Sequence, residues 1–467
     1  MSEQVAQTTL GLADGFKGEL IRPGDANFDV ARSVYNGLID RRPALIVRPR
    51  GAADVIDAVN YAREQGLALA VRCGGHSVAG NGTVDGGVLV DLSSLKGVHV
   101  DPAAATARVN GGVLVGELDR ETQLFGLATP SGRVTTTGVG GFTLGGGYGW
   151  LSPKFGLACD NLLSADVVTA DGRIVTASET ENDDLWWGLR GGSSNFGVVT
   201  SYEFRLHPVG PIVLAGLLVH AIDGAKSIIR SYRDYVEAAP EELITAIGIL
   251  QAPPAAFIPA HLQGKPVFGF FVLYVGDAEA GAPIVAPLKE LGPPAVDLVG
   301  PMPYTAFQAM IDPFAPKGML NYHRGLHLAG LPDEAVDAYV DLGAEIAQVS
   351  SPLTQAILFR HGGAVSRVPD DATAASHRDA AYMAHPIACW GDPSQTDLHL
   401  DWVRRFSEAM APFSTGGVYL NFEPNEGQER VRAGYGEAKY ARLVALKDKW
   451  DPGNLFRVNQ NIRPSRT

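Results

Sequence analysis

The chain has 467 residues, 46% of them hydrophobic and 19% charged, with 55 glycines. That length predicts two or three domains and ample material for a core. A net charge of −13 argues against a nucleic-acid partner, which needs clustered lysine and arginine, and leaves a small molecule in a local pocket as the expected ligand.

In chain order, Met1–Leu10 lacks a basic stretch followed by an apolar run, and no later segment approaches about 18 uninterrupted apolar residues. The expectation is a soluble cytoplasmic protein without a membrane partner. From Pro43 to about Leu206, short apolar runs alternate with turns and helical spacings. Residues 44–48 read as a strand, 53–65 as a helix by the spacing of Val55, Ile56, Val59 and Ala62, and 67–71 as a second strand. Behind it stands R-C-G-G-H-S at 72–77. Gly74 and Gly75 let the backbone take positive φ and approach a partner closely, so His76 is presented from a tight turn. An imidazole there can serve as ligand, base or nucleophile, or simply close the strand.

Strands follow at 87–92 and 107–110, a helix at 113–125, a hairpin over 165–177 turning at Asp171-Gly172, a helix at 183–189 and a strand at 197–204. After Pro208, strands at 212–219, 266–274 and 354–359 are separated by long helical stretches, which predicts a second α+β domain with its own sheet. A last helix carrying Tyr440, Leu443, Val444, Leu446 and Trp450 stops at Asp451-Pro452-Gly453 and gives way to an irregular Asn-rich strip. Cys73, Cys159 and Cys389 have no metal-type spacing and their odd number argues against a disulfide framework. No metal is expected.

The stretch 130–149 reads P-S-G-R-V-T-T-T-G-V-G-G-F-T-L-G-G-G-Y-G. Glycines 138, 140, 141, 145, 146, 147 and 149 leave the backbone nearly bare, and successive exposed N–H groups can form a nest for an anion such as a pyrophosphate. A Rossmann fingerprint fails in register, because Thr143 stands where the third glycine belongs and no acidic residue about 20 positions on closes the unit. No Gly-Lys-Ser/Thr follows for a Walker loop. A plain turn between strands accounts for one or two of these glycines.

Taken together, R-C-G-G-H-S, G-N-G at 80–82, V-D-L-S at 90–93 and the glycine strip resemble the vanillyl-alcohol-oxidase class of FAD enzymes. So do F-G-L-A-C-D-N at 155–161, V-T-A-D-G at 168–172, D-L-W-W-G-L-R-G-G at 184–192 and N-F-G-V-V at 195–199. W-D-P-G-N-L-F at 450–456 and N-Q-N at 459–461 are similar to the berberine-bridge-enzyme-like, 6-hydroxynicotine-oxidase-like branch. The resemblance covers residues 43–206 and roughly the last 50. It implies an α+β fold, with a two-subdomain PCMH-type FAD-binding domain (1–206), a substrate domain with an antiparallel sheet (207–425) and a C-terminal segment (426–467) returning to the first.

The resemblance further implies FAD bonded through its 8α-methyl to His76, a reaction for which a neutral imidazole nitrogen is competent. Many relatives add a cysteinyl link four residues before the first strip glycine; Val134 stands there, so a single tether is expected. The residues implied to hold FAD are Arg72, Gly74, Gly75, His76, Ser77, Gly80, Asn81, Ser131, Thr137, Gly138, Gly141, Gly145, Gly146, Tyr148, Gly149, Asn161, Gly197, Val199, Tyr419, Asn421 and Asn459. Thr137 falls on the oxygen-gate position. Y-L-N-F at 419–422 matches the branch's Tyr-x-Asn-Tyr strand with Phe422 replacing the second tyrosine; positions i and i+2 then set Tyr419 and Asn421 on one face. Tyr419, Tyr148 and Thr137 are the expected catalytic residues, with Glu423 a further candidate and His361 and His377 read as structural. The expected activity is an oxidase passing hydride from a small organic substrate to flavin and electrons to O2. A flavin N5-oxide monooxygenase or oxidative cyclase, and a non-catalytic flavin binder, are the alternatives.

Overall fold

The computed structural model describes Leu12 and residues 15–349 and 351–466; the reading of Met1–Leu10 lies outside them. Three large sheets, besides a two-stranded pairing of Leu127–Ala128 with His207–Pro208, organise the described residues. The first has four strands in the order Glu19–Ile21, Leu45–Arg48, Val88–Asp91, Leu69–Arg72, the last three parallel. Helix Ala52–Glu64 makes the crossover. Ile46, Val47, Val88, Leu89 and Val90 are fully buried, as strands covered on both faces must be, which is why they read as continuous apolar runs.

The second sheet is antiparallel, in the order Val98–Asp101, Thr106–Asn110, Val198–Arg205, Leu162–Val168, Ile174–Ser178. Its last two strands are the predicted hairpin. The third sheet is large and antiparallel, with Ile212–Ala221, Pro266–Tyr274, Leu243–Gln251, Gln355–Arg360 and Tyr382–Trp390 running side by side through its centre. Alternation divides its side chains. Phe268, Phe270 and Val272 pack under helices Ala225–Ala238, Asp333–Ala344 and Thr396–Met410, whereas Phe271, Leu273, Ile357 and Phe359 face Tyr148 and Trp150 of the glycine strip. The expected α+β class, with an antiparallel sheet in the second part, holds.

Two central strands, Leu243–Gln251 and Tyr382–Trp390, occupy stretches the sequence reads as helical or leaves unassigned. Nearly every residue in both is buried, so neither shows the period-two alternation that marks a strand.

The end of the chain is drawn back by a buried ion pair. Lys447 and Asp451 are both 0% exposed. Lys447 Nζ donates to Asp451 (2.7 Å), to Asn195 O (2.7 Å) and to Phe456 O (2.8 Å), while Asp451 accepts the N–H groups of Leu455 and Phe456. The helix Glu437–Trp450 ends there, and residues 456–460 are turned toward the first two sheets. A second buried bridge joins the halves: Arg378 donates to both oxygens of Asp160, at 2.9 and 2.7 Å.

Candidate flavin and substrate cleft

A cleft runs between the first two sheets and the open face of the third, with about 1810 Å³ unoccupied by protein, part of it open to solvent. Its floor is backbone. The loop after strand Leu69–Arg72 meets the glycine strip so closely that a Cβ on Gly74 would overlap the Gly138 nitrogen, and a Cβ on Gly138 the Gly74 nitrogen. Gly75 takes φ +72° and turns the chain to present His76. A Cβ on Gly141 would meet nothing within 4 Å, so this glycine leaves room on the cleft side.

His76 is half-buried, stacked on Tyr35 (centroids 4.2 Å apart, 18° between planes), with Nε2 2.8 Å from Thr136 Oγ1. Burial, helped by the charge of Lys317, pushes the imidazole down to about 4. It is neutral at pH 7, and its Nδ1 has no protein partner among the described residues. Arg72 also lines the cleft, clamped by Asp91 (2.8 Å) and the Ala31 carbonyl (2.5 Å). Despite burial, Arg72 and Arg48 hold the Asp91 carboxyl below its usual range.

The opposite wall is made of side chains from the large sheet and from Tyr148 and Trp150: Phe271, Ile357, Phe359, His323, His385, Gln355 and Ile387. His385 stacks on Phe422 (3.7 Å, 7°) and stands edge-on to His323. Burial drives both imidazoles down, His323 to about 3, and leaves each Nε2 without a partner.

The sequence matches the family described as FAD binding domain over residues 43–178 and the family described as Berberine and berberine like over residues 418–463. It is 34% identical to an FAD-linked oxidoreductase of Dictyostelium discoideum, covering 97% of this chain and 96% of the relative. It is 32% identical to the (R)-6-hydroxynicotine oxidase of Paenarthrobacter nicotinovorans, covering 96% and 97%. The chain is a berberine-like FAD-linked oxidoreductase. The solved 6-hydroxy-D-nicotine oxidase of Arthrobacter nicotinovorans has the same fold, with TM-score 0.85 and 29% identity over 97% of this chain and 99% of that one. The expected family, its FAD-binding fold and its enzymatic nature therefore hold.

In this berberine-like oxidoreductase, the cleft lining brings together Arg72, Gly74, Gly75, His76, Ser77, Asn81, Thr137, Gly138, Gly141, Tyr148, Asn421 and Asn459. Asn459 Nδ2 donates to Ser194 O and Phe456 O, which leaves its buried Oδ1 unpartnered. The other implied residues lie behind the lining. Gly80 packs on Ile39, and Ser131 joins Asp119 and Gln308. Asn161 holds Phe155 O, Leu157 O and the His207 ring. Val199 sits beside a bulge of the five-stranded sheet, and Gly197 precedes that strand, packed on Val167.

Two local expectations are corrected. The glycine strip is not one bare nest, because Val139–Leu144 is helical and the Phe142, Gly145 and Gly146 N–H groups are spent on intrachain carbonyls. Gly145 and Gly149 are glycines for close packing: a Cβ on either would overlap Asn421 or the Ser131 carbonyl. Nor is 419–422 a strand. Strand Ser414–Val418 ends before it, and Leu420–Phe422 forms a 3-10 turn. Tyr419 and Asn421 still meet (3.0 Å), but through that turn. Asn421 lines the cleft, whereas the Tyr419 hydroxyl faces the strip and accepts the Tyr148 N–H at 2.8 Å. Glu423 is buried in a pair with Arg430 (2.8 Å).

The sequence reading missed Arg133, Trp150, His323, His385 and Phe359. Arg133 had a signal: it is the only charged residue between Pro130 and Gly149. Trp150 had one as well, standing two residues after Tyr148 at the end of the strip; His323, His385 and Phe359 had none, since they reach the cleft from strands distant in the chain.

Proposed function

We propose that this protein is an oxidase that holds FAD in the cleft, tethered through His76 and through no cysteine, and that it passes hydride from a small organic substrate to the flavin and electrons on to O2, yielding H2O2. The observation that carries this reading is the neutral, half-buried His76 at the point where two glycine loops touch. The residues present fit the cofactor: a backbone floor opened at Gly141, an elongated cleft and an unpartnered Asn459 Oδ1. FAD bound there supplies the hydride acceptor and the centre that reacts with oxygen.

The residues of the chain have separate tasks. In the tautomer whose Nε2–H donates to Thr136 Oγ1, 2.8 Å away, the lone pair of His76 resides on Nδ1, the nitrogen free to bond the cofactor. The one cysteine in the lining, Cys73, is held as a thiol by burial, at about 11, and donates to Val113 O. Thr137 is small and keeps space over the floor for oxygen. Burial raises the Tyr148 and Tyr419 phenols above their usual range, so both stay protonated and orient the strip. The unpartnered Nε2 atoms of His323 and His385 are the neutral acceptors for a substrate proton. Residues 1–206 with 426–467 hold FAD, and 207–425 shape the substrate's space.

Acid precipitation of the purified protein tests the tether. The pellet should stay yellow, and His76→Ala should release the colour to the supernatant; a colourless wild-type pellet overturns it. An oxygen electrode with a panel of alcohols, amines and sugars tests the reaction. Catalase should return part of the consumed O2, and turnover without H2O2 would overturn the oxidase reading.

A further inference from the structure

One charge in the cleft has no counter-charge among the described residues. Arg133 is 8% exposed, and its guanidinium lies 3.5 Å from the centroid of Phe359, 4.8 Å from that of Tyr148 and 5.2 Å from that of Trp150. Its Nε is buried without a partner, and it forms no ion pair with a described carboxylate. The polar side chains around it are the phenols of Tyr148 and Tyr419 and the uncharged imidazoles of His361 and His385, none of which carries a negative charge. Arg72, the other cation in the lining, is already neutralised by Asp91. No Asp, Glu or Lys is among the described residues that line the cleft, and burial keeps His323 and His385 uncharged.

A guanidinium taken out of water needs replacement partners of two kinds. Aromatic faces answer its planar surface by cation–π attraction, and here three rings do so. Its N–H edge needs acceptors, and a buried charge left unpaired is costly. The chain, of net charge −13, has many carboxylates, and none among the described residues stands there. The group that completes this site must therefore arrive with the ligand. A planar fork of N–H donors matches a carboxylate in bidentate fashion. A single positive charge matches a monoanion, and the surrounding Trp150, Phe271, Ile357 and Phe359 match an apolar body.

We propose that Arg133 receives the carboxylate of the substrate, so that the enzyme acts on organic acids with an aromatic or aliphatic frame. This rests on reading the cleft as the substrate site. Burial lowers Arg133 only to about 10, so the guanidinium remains charged at neutral pH.

The test is calorimetric titration of the purified holoenzyme with benzoate and hexanoate, each against its primary amide, followed in parallel by the flavin absorbance. The acids should bind roughly tenfold or more tightly than the amides, as a charge-assisted bidentate pair requires. Arg133→Met should abolish that preference while leaving benzamide binding unchanged, and Arg133→Lys should keep part of it. Equal affinity for acid and amide, no saturable heat from either acid, or an Arg133→Met variant that binds benzoate like the wild type overturns the proposal. Inorganic phosphate that competes with benzoate more strongly than hexanoate does would overturn the carboxylate assignment. A variant with an altered flavin spectrum but unchanged acid binding would give Arg133 to the cofactor and overturn it too. The heat signal needs no flavin, so protein isolated without flavin would defeat the oxidase reading and still decide this one.

Discussion

The two walls of the cleft are built from different material. The floor is main chain: Gly74 against Gly138, with Gly141 open beside them. The facing wall is side chain, carried on strands Pro266–Tyr274, Gln355–Arg360 and Tyr382–Trp390. Where the two loops touch, a main-chain wall has no room for substitution, because a carbon added at Gly74 or Gly138 strikes an atom that belongs to the fold. A side-chain wall can change residue by residue while the sheet beneath keeps its register. The first suits a ligand that never varies and the second suits one that does.

The seam between the walls should show the largest effect. Asp119 is buried against Ser131, which in turn accepts from Gln308 of the other half (2.9 Å). Burial pushes its carboxyl up to about 7. Its folded pKa lies above the unfolded value of about 3.9, so the folded state holds an extra proton between those values. The resulting stability is fully present below about pH 4 and is lost as pH rises through 7, on the order of 4 kcal/mol at most. Asp119→Asn should remove this dependence. Thermal unfolding of both proteins from pH 4 to 8 should show the wild type losing ground to the variant as pH rises, and parallel curves would break the link between burial and the seam.

Next comes the main-chain wall. Gly138→Ala drives a methyl group into the Gly74 nitrogen and Cys73 Cβ, neither of which can rotate away. A loss of about 3 kcal/mol is expected, together with most of the bound flavin, read by chemical denaturation and absorbance. A variant that keeps wild-type stability and flavin would erase the distinction between the walls.

The side-chain wall should give the smallest effect on the fold. Phe359→Leu is close to volume-conserving and should cost about 1 kcal/mol, leave flavin content intact and raise the KM for substrates that lean on the wall. Loss of flavin from this variant would show that the wall supports the cofactor as well.

The legibility of each wall follows from its material. Gly74, Gly75 and His76 are consecutive, and Gly138 and Gly141 stand three apart, so the floor leaves short dense motifs. Their packing could not be read, which is why the strip looked like a continuous nest although Gly145 and Gly149 serve Asn421 and Ser131. The Tyr419–Phe422 turn was misread as a strand because strand pairing stops one residue earlier, at Val418. That end is set by partners far away in the chain. His323 and His385 face each other at 5.3 Å across 62 residues of sequence, and no local pattern records that.

By itself the sequence determined the glycine loops of the cleft floor, the hairpin and helices of the first part and the Asp451 stop of the last helix, because each is decided by a few adjacent residues and their own φ, ψ and hydrogen-bonding preferences. Only the tertiary structure decided that Gly74 meets Gly138, that Tyr419 turns to the strip, and that Arg133 lies among three rings without a carboxylate. Those are facts of burial and long-range pairing, where the energy of a residue depends on neighbours that chain order does not name.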